Sequence, residues 1–364
     1  MATIFLTGFP GFLGARLLPR VLGRNAKSTA VCLIQTKFAV AARQRVAELT
    51  AETPELAGRI RLIEGDITQP DLGLEGAEAR ELVEETTEIF HLAAVYDLSV
   101  KRDLAMRVNV DGTVQVLDFA QRCPRLARLH YVSTCYVSGR YAGIFAESDL
   151  DKGQRFNNFY EETKFLAEVE VQERMAAGLP ATIYRPAIVV GDSRTGETQK
   201  YDGPYYAMRW VLKQPFLAVL PVVGKPTRTR VNLVPQDFVI DAIDFLSGRP
   251  ESAGKVYQLA DPAPLTVDEL LDEVALATRR RLIRLPLPVF AAKAAIDWVP
   301  FVERVMQIPS STIDYFIHPT HYTCTHTQAD LADSGIAVPP LPSYLRRLVD
   351  FMREHPEIGS EAMV

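Results

Sequence analysis

Short apolar runs alternate with longer amphipathic stretches through the first half of the chain. The runs are "TIFLTG", "TAVCLIQ", "RIRLIEGDI", "EIFHLAA", "LARLHYVST" and "ATIYRPAIVVG". Between them lie a helix from about Phe12 and stretches such as "VNVDGTVQVLDFAQRC" and "YEETKFLAEVEVQERMAAG", whose apolar positions recur at helical spacing. Apolar strands joined by helices read as βαβ units, which build a parallel sheet with helices on both faces. After Gly191 the rhythm changes: the polar loop "GDSRTGETQKYDGP" leads into the aromatic helix "YYAMRWVLKQ", then "VNLVPQDFVIDAIDFLSG" and "KVYQLADP" return as a helix and a strand. The pattern predicts an α/β, doubly wound parallel-sheet Rossmann domain over residues 1–191, with 231–262 returning to it. Residues 192–230 and 263–364 are expected to form a smaller, mostly helical substrate-binding subdomain.

Composition excludes several classes. With 364 residues, 48% hydrophobic and 23% charged, the chain is neither disordered nor fibrous. A net charge of −5 gives no electrostatic reason to bind nucleic acid or an anionic membrane, which directs attention to a small-molecule substrate. Cys32, Cys123, Cys135 and Cys324 are scattered, and the N-terminus lacks a basic, signal-like region, so a reducing cytoplasmic location is expected. No uninterrupted apolar run is long enough for a membrane span. The greasy stretch 285–308 is broken by prolines and charges and reads as a helical lid or core segment. His318, His321, Cys324 and His326 crowd one short stretch without zinc-site spacing, so no metal is expected there. His91 reads as a packed strand residue.

Candidate chemistry collects at the ends of the strands, where such sheets bind ligands. "TGFPGFLG" spans Thr7, Gly8, Phe9, Pro10, Gly11, Phe12, Leu13 and Gly14, closing the first strand and opening the first helix. Glycines here permit a tight turn and let backbone approach a pyrophosphate at the helix N-terminus. The second strand ends at Gln35 rather than the acid that holds an NAD ribose, and Lys37, Arg43 and Arg45 follow. A basic cluster suits a 2′-phosphate, so NADPH is expected over NADH. Asp66 and Ile67 end the third strand, where a carboxylate and adjacent backbone can meet adenine, and Ala93 and Ala94 end the fourth, small enough for close approach to ribose; both pairs equally fit strand-end packing.

Tyr160 and Lys164, in "FYEETKF", form the chain's one Tyr-x-x-x-Lys. Four-residue spacing equally fits two residues sharing an ordinary helical face. A tyrosine with a free pKa near ~10 needs a cation to become an acid-base group, and Lys164 is placed to supply one. Thr134 is placed to hydrogen-bond a carbonyl oxygen, and Asn109 to hold a water.

Taken in order, "TGFPGFLG", "GDI", "HLAA", "NVDGT", "VST", "YEETK" and "RPAIVVG" resemble the extended short-chain dehydrogenase/reductase family over most of the chain. The resemblance implies Tyr160 as proton donor, Lys164 as its pKa-lowering partner, Thr134 as carbonyl orienter and Asn109 as relay. It adds Arg185, Pro186 and Ile188 to the cofactor positions, and implies dimerisation through the Tyr160 helix. The opening motif, "RPAIVVGDSRTG" and "VNLVPQDFV" look most like the fatty-acyl-CoA reductase and thioester-reductase branch. That implies NADPH-dependent reduction of an acyl thioester, on CoA or an acyl carrier protein, to an aldehyde or alcohol. No adenylation or carrier module precedes the first strand in this sequence, so the acyl group is expected in solution or on a separate carrier. Tyr205, Tyr206, Met208 and Trp210 are expected to line an apolar substrate wall. The alternatives are an aldehyde or ketone reductase, an NAD-dependent sugar-nucleotide epimerase or dehydratase, and a non-catalytic NADP-sensing protein.

Overall fold

The computed structural model describes residues 2–97, 100–290 and 310–359. Most of the stretch 285–308 therefore lies outside the described residues. Strands β1 (Thr3–Thr7), β2 (Thr29–Ile34), β3 (Ile60–Glu64), β4 (Thr86–His91) and β5 (Arg128–Val132) follow the predicted apolar runs. After β6 (Gly143–Phe145) come β7 (Ala181–Pro186), β8 (Ile188–Val190), β9 (Leu217–Val223), β10 (Leu233–Pro235), β11 (Val256–Leu259), β12 (Arg281–Leu287) and β13 (Thr320–Tyr322). Seven of these form one sheet in the order β11-β7-β5-β4-β1-β2-β3, and every pairing in it is parallel. The fold is the doubly wound Rossmann type.

Period-two alternation explains why the strands are apolar on both faces. Ile4 and Leu6 of β1, with Ala30, Cys32 and Ile34 of β2, face one core; Phe5, Val31 and Leu33 face the other. Helix α1 (Gly14–Gly23) packs Leu17, Leu18 and Leu22 into the first core, alongside α2 (Ala39–Glu52). On the opposite face, α3 (Gly76–Glu85) adds Leu82, and beyond α4 (Arg102–Ala105) the longer α5 (Gly112–Arg122) adds Val116 and Phe119. Helix α6 (Phe159–Ala176) completes that face with Ala167 and Val171.

A second core forms under α7 (Pro204–Leu212). It takes in Tyr205, Met208 and Val211 from one face of that helix, together with Ala218 and Leu220 of β9. Helix α8 (Gln236–Ser247) returns to the first core through Ile240 and Ile243, whereas α9 (Val267–Thr278) serves the second. Helix α10 (Thr325–Leu331) covers β11, and α11 (Leu345–Glu354) packs against α9. Among the described residues no helix is long and apolar enough to cross a membrane.

One buried ion pair ties the layers together. Arg185 of β7 and Glu168 of α6 are both fully buried, with the guanidinium 2.6 Å from the carboxylate. Ser133 and Gln172 also donate to Glu168, at 2.5 and 2.9 Å, and Arg185 donates to the Asp149 carbonyl at 2.8 Å. Removing one partner strands a buried charge, which costs about 3–5 kcal/mol, while replacing both with apolar groups is often near neutral. Arg185→Met is therefore expected to lower unfolding free energy by about 3–5 kcal/mol, and adding Glu168→Met to restore most of that loss. Urea unfolding of the two variants checks this; equal loss in single and double variants would contradict it.

Candidate active site

A cleft of about 870 Å³ runs along the carboxyl ends of the sheet strands. One end is the turn from β1 into α1, and all eight residues Thr7 to Gly14 line it. Gly8 has φ +88°, and a Cβ there would lie 2.8 Å from the Ala93 nitrogen. A Cβ on Gly14 would sit 2.6 Å from the Gly8 carbonyl oxygen. The turn thus has room only for hydrogen at these positions, which leaves its backbone and the start of α1 exposed to the cleft as a pyrophosphate cradle requires. Gln236 of α8 braces the turn from behind, donating to the Phe12 carbonyl at 2.6 Å.

Gln35, Lys37, Asp66 and Ile67 line the same end. Gln35 donates to one oxygen of Asp66 at 2.9 Å and the Thr68 backbone N–H donates to the other at 2.8 Å, so the carboxylate is held in one orientation. Arg43 is exposed on α2 and does not line the cleft. Ala93, Ala94, Pro186 and Ile188 line its middle. Arg185 does not: alternation along β7 turns it to the opposite side from Pro186, into the ion pair with Glu168.

Behind the turn lies a buried polar chain. The His91 ring bonds Thr7 through Nδ1 at 2.7 Å and Thr113 through Nε2 at 3.0 Å, and Thr7 accepts from the Ala93 N–H at 3.2 Å. Burial and the nearby Lys164 push the His91 pKa down to about 3, so the ring stays neutral. The strand residue is packed, and its polar atoms join the glycine turn to the helix carrying Thr113.

Thr134, Tyr160 and Lys164 meet at the centre of the cleft. The side chain of Asn158 caps α6 by accepting from Glu161 N–H at 2.9 Å, which starts the helix so that Tyr160 lies in its first turn and Lys164 one turn on. Burial raises the Tyr160 phenol above its ordinary pKa, and hydrogen bonding with Thr134 works against the rise. Lys164 donates to the Tyr131 hydroxyl at 2.9 Å and to the Val132 carbonyl at 2.8 Å. Its burial outweighs the attraction of Glu168 and brings its pKa down to about 7.

Asn109 sits in a single π-helical turn, Met106–Asp111. Its amide accepts from Val95 N–H at 2.8 Å and donates to Thr163 at 3.0 Å, so its polar atoms bridge the end of β4 to α6 rather than bonding Lys164.

The far end of the cleft carries residues that sequence reasoning did not single out: Tyr96, Arg107, Tyr136, Lys200, Asp202 and Tyr315. Tyr96 meets the Tyr160 ring edge-on at 4.9 Å, and the Lys200 ammonium lies 4.0 Å over the Tyr96 ring while pairing with Asp202 at 2.6 Å. Tyr136, two residues after Thr134, had the nearest signal; Lys200 and Asp202 belong to the polar loop after Gly191. The expected aromatic wall is corrected: Tyr205 and Met208 fill the second core, and Trp210 packs against it while donating to the Val219 carbonyl at 2.8 Å. The late histidines serve separate partners, His318 bonding Tyr322 and His326 the Val256 carbonyl.

A glycine turn at the end of β1, joined in one cleft with a Tyr-x-x-x-Lys helix and a strand-end threonine, characterises an NAD(P)-dependent oxidoreductase of the extended short-chain dehydrogenase/reductase type. The family model described as Male sterility protein matches residues 6–243, and the chain belongs to that family. The nonribosomal peptide synthetase asaC of Aspergillus flavus is 26% identical over 274 residues, 72% of this chain and 26% of that protein. The fatty acyl-CoA reductase wat of Drosophila melanogaster is 28% identical, over 66% of this chain and 53% of that protein. The chain thus spans about a quarter to a half of the length of these relatives. Among solved structures, the terminal R domain from the myxalamid PKS-NRPS biosynthetic pathway superposes with TM-score 0.83 at 28% identity, covering 100% of this chain and 93% of that one.

Two measurements probe this geometry. Gly14→Ala should weaken binding of the reduced nicotinamide dinucleotide at least about tenfold (~1.4 kcal/mol), read by fluorescence titration, because the new methyl must displace the Gly8 carbonyl. For Lys164, a folded-state pKa of about 7 against an ordinary 10.5 means that the folded chain binds fewer protons than the unfolded chain between those values. Stability should therefore rise with pH across that window, the penalty being full below about 7. Subtracting the pH profile of Lys164→Met isolates the contribution, and a flat difference would refute the low pKa.

Proposed function

We propose that the protein is an NADPH-dependent reductase of acyl thioesters, acting on CoA or carrier-bound substrates and releasing an aldehyde or alcohol. The observation that carries the reading is the convergence of the Thr134 and Tyr160 hydroxyls in the cleft that begins at the glycine turn. The likeness to the fatty acyl-CoA reductase wat and to the terminal R domain supports the thioester substrate.

Residues Thr7 to Gly14 would hold the pyrophosphate, Asp66 and Ile67 the adenosine, and Ala93, Ala94, Pro186 and Ile188 the nicotinamide half. The choice of NADPH over NADH is supported by Gln35, an amide rather than an acid, at the end of β2, and by Lys37, whose ammonium lies beside the Phe38 ring without a carboxylate partner among the described residues. The bound dinucleotide supplies the hydride. Thr134 and Tyr160 donate hydrogen bonds to the carbonyl oxygen, stabilising the oxyanion that develops on it. Lys164, cationic when protonated, favours proton release from Tyr160 and holds the helix face to β5 through Tyr131 and Val132. With hydride on the carbon, the oxyanion collapses to the aldehyde carbonyl as the C–S bond breaks, and the departing thiolate takes the proton released by Tyr160 to leave as thiol.

Tyr160→Phe should lower kcat by at least about a hundredfold while leaving NADPH affinity nearly unchanged. The check is NADPH oxidation against acyl-CoAs and the matching aldehydes, with thiol release followed in parallel. Thiol appearing with NADPH loss fits the proposal. Turnover of aldehydes alone would replace it with a carbonyl reductase, and full activity in Tyr160→Phe would remove that residue as proton donor.

A further inference from the structure

A second concavity, of about 590 Å³, opens on the surface between two loops and shares no residue with the cleft. Arg140, Lys152 and Arg155 supply its charge, and Tyr141 and Phe156 give it aromatic walls. In a chain of net charge −5, a groove with three cations is a local reversal of sign. One of the three, Lys152, is paired with Asp149, which leaves the two arginines to carry the groove's net positive charge. Asp149 accepts from Lys152 at 3.1 Å and from the Ala146 N–H at 2.8 Å, and the exposed Asp151 accepts from the Gly153 N–H at 2.9 Å. The Arg140 and Arg155 guanidiniums have no hydrogen-bond or ion-pair partner among the described residues.

The groove is preformed. Arg140 N–H donates to the Arg155 carbonyl at 2.7 Å, and Gln154 reaches the Val137 and Leu150 carbonyls at 2.8 and 2.9 Å. Gly139, at φ +48°, permits the contact, since a Cβ there would lie 2.3 Å from the Arg155 oxygen. The same loops run into the catalytic segments. Arg140 follows Thr134 by six residues and Arg155 precedes Tyr160 by five. At no more than ~3.6 Å per residue, the backbone of the groove lies within about 18–22 Å of the catalytic backbone. An extended pantetheine arm has a length of that order.

We propose that this groove binds the 3′-phosphorylated adenosine diphosphate end of coenzyme A, with its phosphates on Arg140 and Arg155 and its adenine against Phe156; Lys152, paired with Asp149 and lying 5.5 Å over the Tyr141 ring, closes the other wall. The inference deepens the thioester reading and rests on it for its role in turnover. A groove with aromatic walls favours a nucleotide over the broad face of a carrier protein.

The test is calorimetric titration of free CoA into the full chain saturated with NADPH. Arg140→Glu/Arg155→Glu should weaken CoA binding at least about tenfold, Arg140→Lys/Arg155→Lys should retain most of it, and wild-type affinity should fall with added salt. In turnover, KM for an acyl-CoA should rise comparably in the Glu variant. Its kcat, and both constants for the same acyl group on N-acetylcysteamine, should not move, which also shows that the variant is folded. Equal CoA binding in wild type and the Glu variant overturns the proposal. So does a loss confined to a carrier-protein thioester, which would make the groove a protein-docking surface. If no thioester is reduced while CoA binding still depends on these charges, the reductase reading fails and the groove stands.

Discussion

The fully buried pair Arg185–Glu168 is the constraint on which the site depends. It joins β7 to α6 one turn beyond Lys164, and Ser133, the neighbour of Thr134, is bonded to the same carboxylate. Two charges out of water are tolerable only when their hydrogen bonds are satisfied, so helix, strand end and loop must adopt one relative position. That position sets how deep Tyr160 and Lys164 sit above the strand ends and how far Thr134 stands from Tyr160. The ion pair acts by fixing Thr134, Tyr160 and Lys164 relative to one another.

A second polar chain does similar work at the other side of the cleft. His91, held neutral by burial, links Thr7 at the glycine turn to Thr113, which in turn donates to the Asn109 carbonyl at 2.6 Å. Asn109 then reaches Val95 and Thr163, so the turn, the end of β4 and α6 belong to one hydrogen-bonded unit. The glycine turn and α6 are therefore aligned through buried bonds rather than through the cleft surface. The far end of the cleft is less apolar than the aromatic content of residues 201–210 suggests, because most of those rings went to the second core and left Lys200 and Asp202 facing Tyr96.

Local sequence determined much of this protein. Period-two apolar runs separated by helical patterns specify a parallel sheet covered on both faces. Glycines at 8, 11 and 14 specify a turn without side chains, and a capping Asn158 before Tyr160 and Lys164 specifies a helix with both on one face. These features depend on neighbours within a few residues, so they can be read along the chain.

Tertiary structure alone decided where side chains of ambiguous type went. Arg185 and Pro186 are adjacent in one motif, yet strand alternation sends the first into the core and the second to the cleft, and nothing local says which face is which. Tyr205 and Met208 satisfy a core or a substrate wall equally well until the partner layer is known. Tyr96, Tyr136, Lys200 and Tyr315 come from distant segments, and their meeting is a consequence of sheet order and loop packing. Contacts of that kind arise from long-range closure of the chain, which residue type and spacing do not encode locally.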